Sequence, residues 1–426
     1  MLSLRLFLMI LISLLCKEAM TQPAAGPWPQ TCLAMSGVIV GFGLLGKIVA
    51  VLAVAPVAAS TVAGTSSRRA AARRFEDLQG VVQWLWIMLL PVVMYFTRWV
   101  GMSRALAEQG HSQTLAILLT LAPTALVLML WEWSAAEVDQ FFATPRADGT
   151  LRLWLQRLRL GEVTHLVTAI LPLVLIGVAI DLLRFTLPNL ADATRAVLAT
   201  GIGMGGALLV YPTLFSLIFS GRAMAEGAEL RARVRRYCRQ LGVAAVTPCL
   251  IPSDGRWCGA AVVGVIPGAR QLWLGDGLLQ RLTDRQIDMV ILHELAHLRR
   301  HHFFWRLAVV AWAGSVPMAY WWYQSTATIG PTVASFLNLV VTVAAMVTLA
   351  VGLGWVGRLC ELDADQKACE YALQTCCWAT GKPSLVAREL SNALEIASGG
   401  RESRWGGWLH PCLAQRQHQL RQRFGP

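Results

Sequence analysis

Long apolar runs separated by short polar stretches set the pattern of this chain. The first covers residues 33–63 and is broken only by Lys47. Runs at 81–100, 114–131, 164–183 and 196–220 follow, and two more come late, at 307–323 and 332–356. A helix of about 20 apolar residues crosses a bilayer, so the pattern predicts a polytopic, mostly α-helical membrane protein. Residues 1–16 differ: Arg5 is followed by ten uncharged residues, 6–15, apolar but for Ser13. That is too short to span and suits a signal-peptide core, so 1–32 is expected to be a signal-like or anchor segment. Lys47 and Asp181 sit in or at the end of spans, where an ionisable residue is a functional candidate by default. Snorkelling or a shifted span is the simpler account of Lys47.

The first substantial polar stretch is 222–304. Residues 226–241 read as a basic amphipathic helix, with Leu230, Val234, Tyr237 and Leu241 on one stripe. Pro248 and Pro252 mark a loop. A β-branched run at 260–266 and its return at 271–274 predict a small β element. Thr283 and Gln286 form a capping-box signature, and Ile287, Val290, Ile291, Leu295 and Leu298 carry helical spacing after it. The expected organisation is a segment 1–32, an N-terminal membrane region 33–220, and a domain 221–426 interrupted by the spans 307–323 and 332–356.

Composition sharpens this picture. The chain is 55% hydrophobic and 15% charged, against about 25% charged in soluble domains. Its net charge of +12 comes from arginines gathered in loops. Arg68, Arg69, Arg73 and Arg74, and then Arg146, Arg152, Arg157 and Arg159, alternate with sparser loops carrying Arg98 and Arg104, then Arg184 and Arg195. The positive-inside rule places 65–80, 133–163, 222–304 and 358–426 on the cytoplasmic side, in a cell inner membrane. No aromatic–basic module of the nucleic-acid kind is present, so nucleic acid is not an expected partner. The ten cysteines contain no C-x-x-C pair, which predicts reduced thiols rather than a cysteine metal site.

Within the predicted helix after Thr283 lies His293-Glu-Leu-Ala-His297. Two histidines four apart share one helical face and can take one zinc ion, with Glu294 beside them as general base. Arg299, Arg300, His301 and His302 close the helix and suit its negative end; extra metal ligation by His301 or His302 is left open, but both are expected to point away from the His293/His297 face. A third ligand is expected, because catalytic zinc takes three protein ligands and an open position. The segment Arg358-Leu-Cys-Glu-Leu-Asp-Ala-Asp365 follows two predicted spans and so returns to the same membrane side. Glu361 and Asp365 share a face there, and the residues alone leave both open.

Taken together, Gly275-Asp-Gly-Leu-Leu279, His293-Glu-Leu-Ala-His297, Arg358-x-x-Glu361-x-x-Ala-Asp365 and His410-Pro411 with Arg416 resemble the membrane-embedded zinc metallopeptidases, a family that includes HtpX and the CaaX prenyl endoproteases. The resemblance covers about 222–420. It implies a zincin-like (gluzincin) fold and one zinc ion on His293, His297 and Glu361. It makes Glu294 the general base, sets Asp365, Arg358 and Arg416 behind the ligands, and makes His410 a candidate oxyanion stabiliser. The family's Asn-Ala pair ahead of the helix, where substrate backbone is thought to dock, is Gly259-Ala260 here. The implied activity is hydrolysis of a peptide or membrane-protein substrate at the cytoplasmic face of the lipid bilayer. The alternative from another class is a membrane signal transducer or regulatory scaffold built on a peptidase-like domain.

Overall fold

A computed structural model describes residues 3–19, 27–58, 65–109, 112–142, 149–219, 221–225, 228–253, 255, 257–326, 330–375, 382–397 and 407–425. Arg146, Cys376, Cys377 and the expected start of the basic helix at 226–227 lie outside the described residues. The chain is mostly α-helical and separates into two compact units, Met1–Ala207 and Leu208–Pro426.

The first unit is a helical bundle: α1 (Leu4–Ala19), α2 (Trp28–Ala58), α3 (Thr65–Phe96), α4 (Trp99–Gln109), α5 (Gln113–Phe142), α6 (Thr150–Leu160), α7 (Glu162–Thr186) and the first part of α8 (Asp192–Ile218). The signal-like stretch is helix α1, with Leu6 and Met9 fully buried in the bundle core. It is tied there by Arg5 Nη1 donating to Gln83 Oε1 at 2.6 Å and by the Ser13 hydroxyl 3.4 Å from that of Thr124. The two intramembrane charges have partners. Lys47 Nζ lies 3.2 Å from Glu137 Oε1. Asp181 caps α5: its carboxylate accepts from Gln113 N and Thr114 N at 2.7 and 3.1 Å, and from both the Ser112 and Thr114 hydroxyls at 2.7 Å. An acceptor there satisfies amides that a helix N-terminus leaves orphaned.

The second unit joins a small sheet to helices. The sheet has β1 (Arg222–Ala223), β2 (Thr247–Ile251), β3 (Ala260–Val263) and β4 (Gln271–Gly275) in the order β1-β2-β4-β3. The expected pair β3 and β4 is antiparallel, with Val262 opposite Leu272. Strand β2 occupies what Pro248 had marked as a loop, running parallel to β4. Pro248 is tolerated because its carbonyl, which accepts from Met224 N at 3.0 Å, is what the ladder uses there. Around the sheet stand α9 (Glu229–Gln240), α10 (Asp276–Arg281), α11 (Asp284–Arg299), α12 (His302–Thr326), α13 (Pro331–Gln374), α14 (Pro383–Ala397) and α15 (Leu413–Phe424). The basic helix α9 buries Val234, Tyr237 and Cys238 in the core of this unit, with Leu272, Ile291 and Leu390.

Six helical segments among the described residues are long and apolar enough to cross a membrane: Trp28–Val57, Arg73–Phe96, Gln113–Phe141, Thr150–Thr186, Thr194–Tyr211 and Phe336–Gln374. The expected span 307–323, in α12, is not among them. Arg306 and the polar-tipped rings of Trp312, Tyr320, Trp322 and Tyr323 lower its hydropathy. It nonetheless packs along α13. On α13, Phe336, Val347, Val351 and Trp355 stand more than half exposed. A soluble monomer rarely leaves so much contiguous apolar surface open; hydrocarbon is its matching solvent.

Candidate metal centre

The site is built on α11, and α11 begins where the sequence sets it. The Thr283 hydroxyl accepts from Gln286 N, and Gln286 Oε1 accepts from Thr283 N at 3.1 Å, closing a capping box. Behind this cap, Ile287, Ile291 and Leu295 bury the inner face. Helical phase then sets His293 and His297 one turn apart, facing α13. The two rings meet edge to face, with centroids 4.9 Å apart.

Their Nε2 atoms lie 3.2 Å from each other. Glu361, from α13, presents Oε2 at 3.6 Å from His293 Nε2 and Oε1 at 3.5 Å from His297 Nε2. Three potential ligand atoms therefore converge, all within 4.8 Å of one another. Two ligands on a tetrahedral zinc with bonds of about 2.0–2.1 Å lie about 3.3 Å apart, so this spacing fits the edge of such a site. Asp365, one turn on, does not face the Nε2 pair. Its Oδ1 lies 3.0 Å from His293 Nδ1, on the far side of that ring.

Charge supports the same reading. His293, Glu361 and Asp365 are all buried. Burial by itself would depress the His293 pKa, but Asp365 and Glu361 beside it push the ring up to about 10. A negative field that holds a proton this firmly also favours a metal cation. His297, desolvated and next to His293, is held well below the ordinary histidine value.

Around these candidate ligands stand several further groups. Arg416 of α15 grips Asp365 through two bonds, Nε to Oδ2 at 2.6 Å and Nη2 to Oδ1 at 2.5 Å, the bidentate fork that fixes a carboxylate's orientation. His410 Nδ1 lies 3.0 Å from Glu361 Oε2. Glu294 turns towards the sheet, where Val262 N–H of edge strand β3 donates to its Oε2 at 3.1 Å. Burial pushes the Glu294 carboxyl above the usual carboxylate range. Arg358 is not brought to this cluster. Its side chain is exposed and follows the helix surface to donate to Gly407 O at 3.4 Å, in the stretch that leads to His410.

Three neighbours were set aside or not named in the sequence reading. Arg306 Nη2 lies 3.3 Å from Glu361 Oε1. His302 Nδ1 lies 2.8 Å from His297 Nδ1, and His302 Nε2 lies 3.0 Å from Asp363 Oδ2. Straight helical phase had turned His302 away. The reason for the difference is His301, whose φ of 55° breaks the helix between α11 and α12. No glycine or proline marks the break, so the sequence carries no local signal for it.

Residues 225–423 match the model of Peptidase family M48. Among solved structures, the crystal structure of S. mikatae Ste24p is similar at a TM-score of 0.55 and 14% identity, over 94% of this chain and 100% of that one. At that identity the likeness is one of fold. No curated protein matches the chain.

Proposed function

We propose, from the match of residues 225–423 to the model of Peptidase family M48, that this chain is a zinc-dependent endopeptidase acting at the cytoplasmic face of the membrane. The observation that carries the reading is the convergence of His293, His297 and Glu361 with Glu294 beside them. The two imidazole Nε2 atoms face each other in a buried site lined by carboxylates, an arrangement that suits a shared cation.

His293, His297 and Glu361 would hold the zinc ion, which would supply Lewis-acid polarisation of a peptide carbonyl and a lowered pKa for the attacking water. The chain's own residues do the rest. Glu294 has one oxygen engaged by Val262 N–H and the other left to take a proton from the attacking water. Its raised pKa suits a base that must later return the proton to the leaving amine. Strand β3 is the outer strand of the sheet and runs beside α11, so an extended substrate has a strand edge to pair with next to the base. His410, whose Nδ1 lies beside Glu361, is the candidate to stabilise developing negative charge on the carbonyl oxygen. Asp365, held by Arg416, keeps the His293 ring in orientation.

The test is the purified chain assayed for zinc content and for cleavage of unfolded membrane proteins, beside Glu294→Gln. The variant is expected to keep its zinc, because Glu294 is not a ligand, and to lose cleavage by about 10²–10⁴-fold, the range of a general base. Near-normal cleavage by Glu294→Gln would remove Glu294 from the mechanism, and a zinc-free parent chain would overturn the reading.

A further inference from the structure

We infer that His302 and Asp363 are positioning residues for the metal centre: Asp363 sets the tautomer of His302, and His302 in turn holds His297 with its Nε2 bare and aimed at the ion. The inference rests on the proposed zinc site and adds two residues that the recurring motifs of the sequence did not single out.

The two ligand histidines are held differently. His293 has a carboxylate directly behind it, Asp365 Oδ1 at 3.0 Å from Nδ1. Behind His297 stands another imidazole, His302, with Nδ1 to Nδ1 at 2.8 Å. The carboxylate of this second arm lies one step further back, Asp363 Oδ2 at 3.0 Å from His302 Nε2. The His297 and His302 rings meet edge to face at 4.9 Å. His302 is buried and Asp363 partly so.

Hydrogen-bond bookkeeping assigns the protons along this line. An ionised carboxylate only accepts, so His302 Nε2 carries the hydrogen and donates to Asp363. In a neutral imidazole the other nitrogen is then an acceptor, so His302 Nδ1 takes a hydrogen from His297 Nδ1. His297 is left with a lone pair on Nε2, the atom that faces His293 Nε2 and Glu361. The reverse tautomer would put a hydrogen between His297 and the metal. Asp363 is itself anchored, accepting from Arg300 Nε at 2.9 Å.

The backbone is shaped to make this contact. Five residues beyond His297, a straight helix would point a side chain about 140° away from it. The left-handed His301, at φ 55°, ends α11 and starts α12 at His302. The turn swings His302 back against the ring it would otherwise miss. A non-glycine residue in that region is uncommon and strained, and here its effect is to deliver the next side chain to a ligand.

The full chain, purified in detergent, tests this by zinc retained across a chelator titration and by the visible absorption of the cobalt(II)-loaded form, which reports the ligand field. The parent should hold one zinc and His297→Ala none; a parent that binds no metal overturns the zinc reading and this inference with it. With that reading standing, His302→Phe should weaken zinc affinity by about 10–100-fold, the size typical of groups that orient a ligand, and shift the cobalt spectrum. His302→Gln should stay close to the parent in both, because an amide can accept from His297 and donate to Asp363. Asp363→Ala should weaken zinc in the same direction, while Arg300→Gln, which removes only the anchor's ion pair, should not. Parent-like affinity in His302→Phe overturns the inference, as does a His302→Gln that falls as far as His302→Phe. Should His302→Phe fail to fold, unchanged affinity in Asp363→Ala overturns it alone.

Discussion

Two carboxylates one helical turn apart have separate surroundings, and their substitution should have separate consequences. Glu361 offers its oxygens to both Nε2 atoms, at 3.5 and 3.6 Å, while Asp365 stands behind His293 in the grip of Arg416. Glu361→Ala removes a group of ligand type, and the purified chain is expected to come out largely without zinc. Asp365→Ala removes an orienting bond. It should weaken affinity by about 10–100-fold and still fill at saturating metal. Zinc per chain across a chelator titration separates the two, and an empty Asp365→Ala beside a full Glu361→Ala would reverse the roles. Asp365→Ala also leaves the half-buried Arg416 without its carboxylate, so its loss of stability should exceed that of Asp365→Asn.

At the scale of elements, the glycine–aspartate turn between β4 and α10 holds the segment that leads into edge strand β3. Asp276 accepts from Ser253 N, Gly255 N and Gly277 N at 2.9, 3.2 and 2.7 Å, and from the Ser253 hydroxyl. Desolvation would raise its pKa, but the Ser253 bonds and the backbone amides outweigh that and hold the carboxyl below its usual value. Gly277 is required here, because a Cβ would stand 2.5 Å from Gly255 O. The sign of the pH effect follows. A carboxyl whose folded pKa is depressed adds stability that is complete above the unfolded value of about 3.9 and is lost as pH falls through the folded one. Asp276→Asn should therefore lower the Tm at neutral pH, and the gap to the parent should narrow as pH drops below about 4. A gap independent of pH would mean that Asp276 acts by shape alone. Helix α13 works on another principle. One uninterrupted helix of 44 residues, about 66 Å long, carries both an apolar membrane stretch and Glu361, so the candidate ligand rides on a rigid rod.

For the molecule as a whole, the arginine distribution makes a claim about sides. We expect residues near Gln240 to face the cytoplasm, with those near Gln109 and Asn189 outside. All three positions are exposed. Single cysteines at Gln109 and Asn189 should react with an impermeant thiol reagent in intact cells beyond the parent background, and one at Gln240 only after lysis. Labelling at Gln240 in intact cells would put the catalytic half outside. The two ionisable residues in or at the end of the expected spans have local partners. Lys47 pairs with Glu137, and Asp181 caps α5. Asp181→Ala should accordingly cost stability, by about 0.5–2 kcal/mol for a lost cap, and leave zinc content of the purified chain unchanged.

What the sequence determined by itself was local. Apolar runs of membrane length, the Thr283–Gln286 cap and the i,i+4 spacing of His293 and His297 follow from helix geometry, which needs no distant partner to set its phase. The same periodicity put Glu361 and Asp365 on one face but could not say which one meets the histidines, because that depends on how α13 lies against α11. Strand β2 was missed for a related reason: Pro248 reads as a breaker until a neighbouring strand shows that its amide is not needed. The resemblance set Arg358 behind the ligands, yet its long side chain found Gly407. His302 was the largest omission. Helical phase turned it away, and only the left-handed turn at His301, held by the packing of α11 and α12, returned it to His297. Tertiary structure decided these points because each joins groups whose meeting depends on long-range packing or on a turn that no residue type announces.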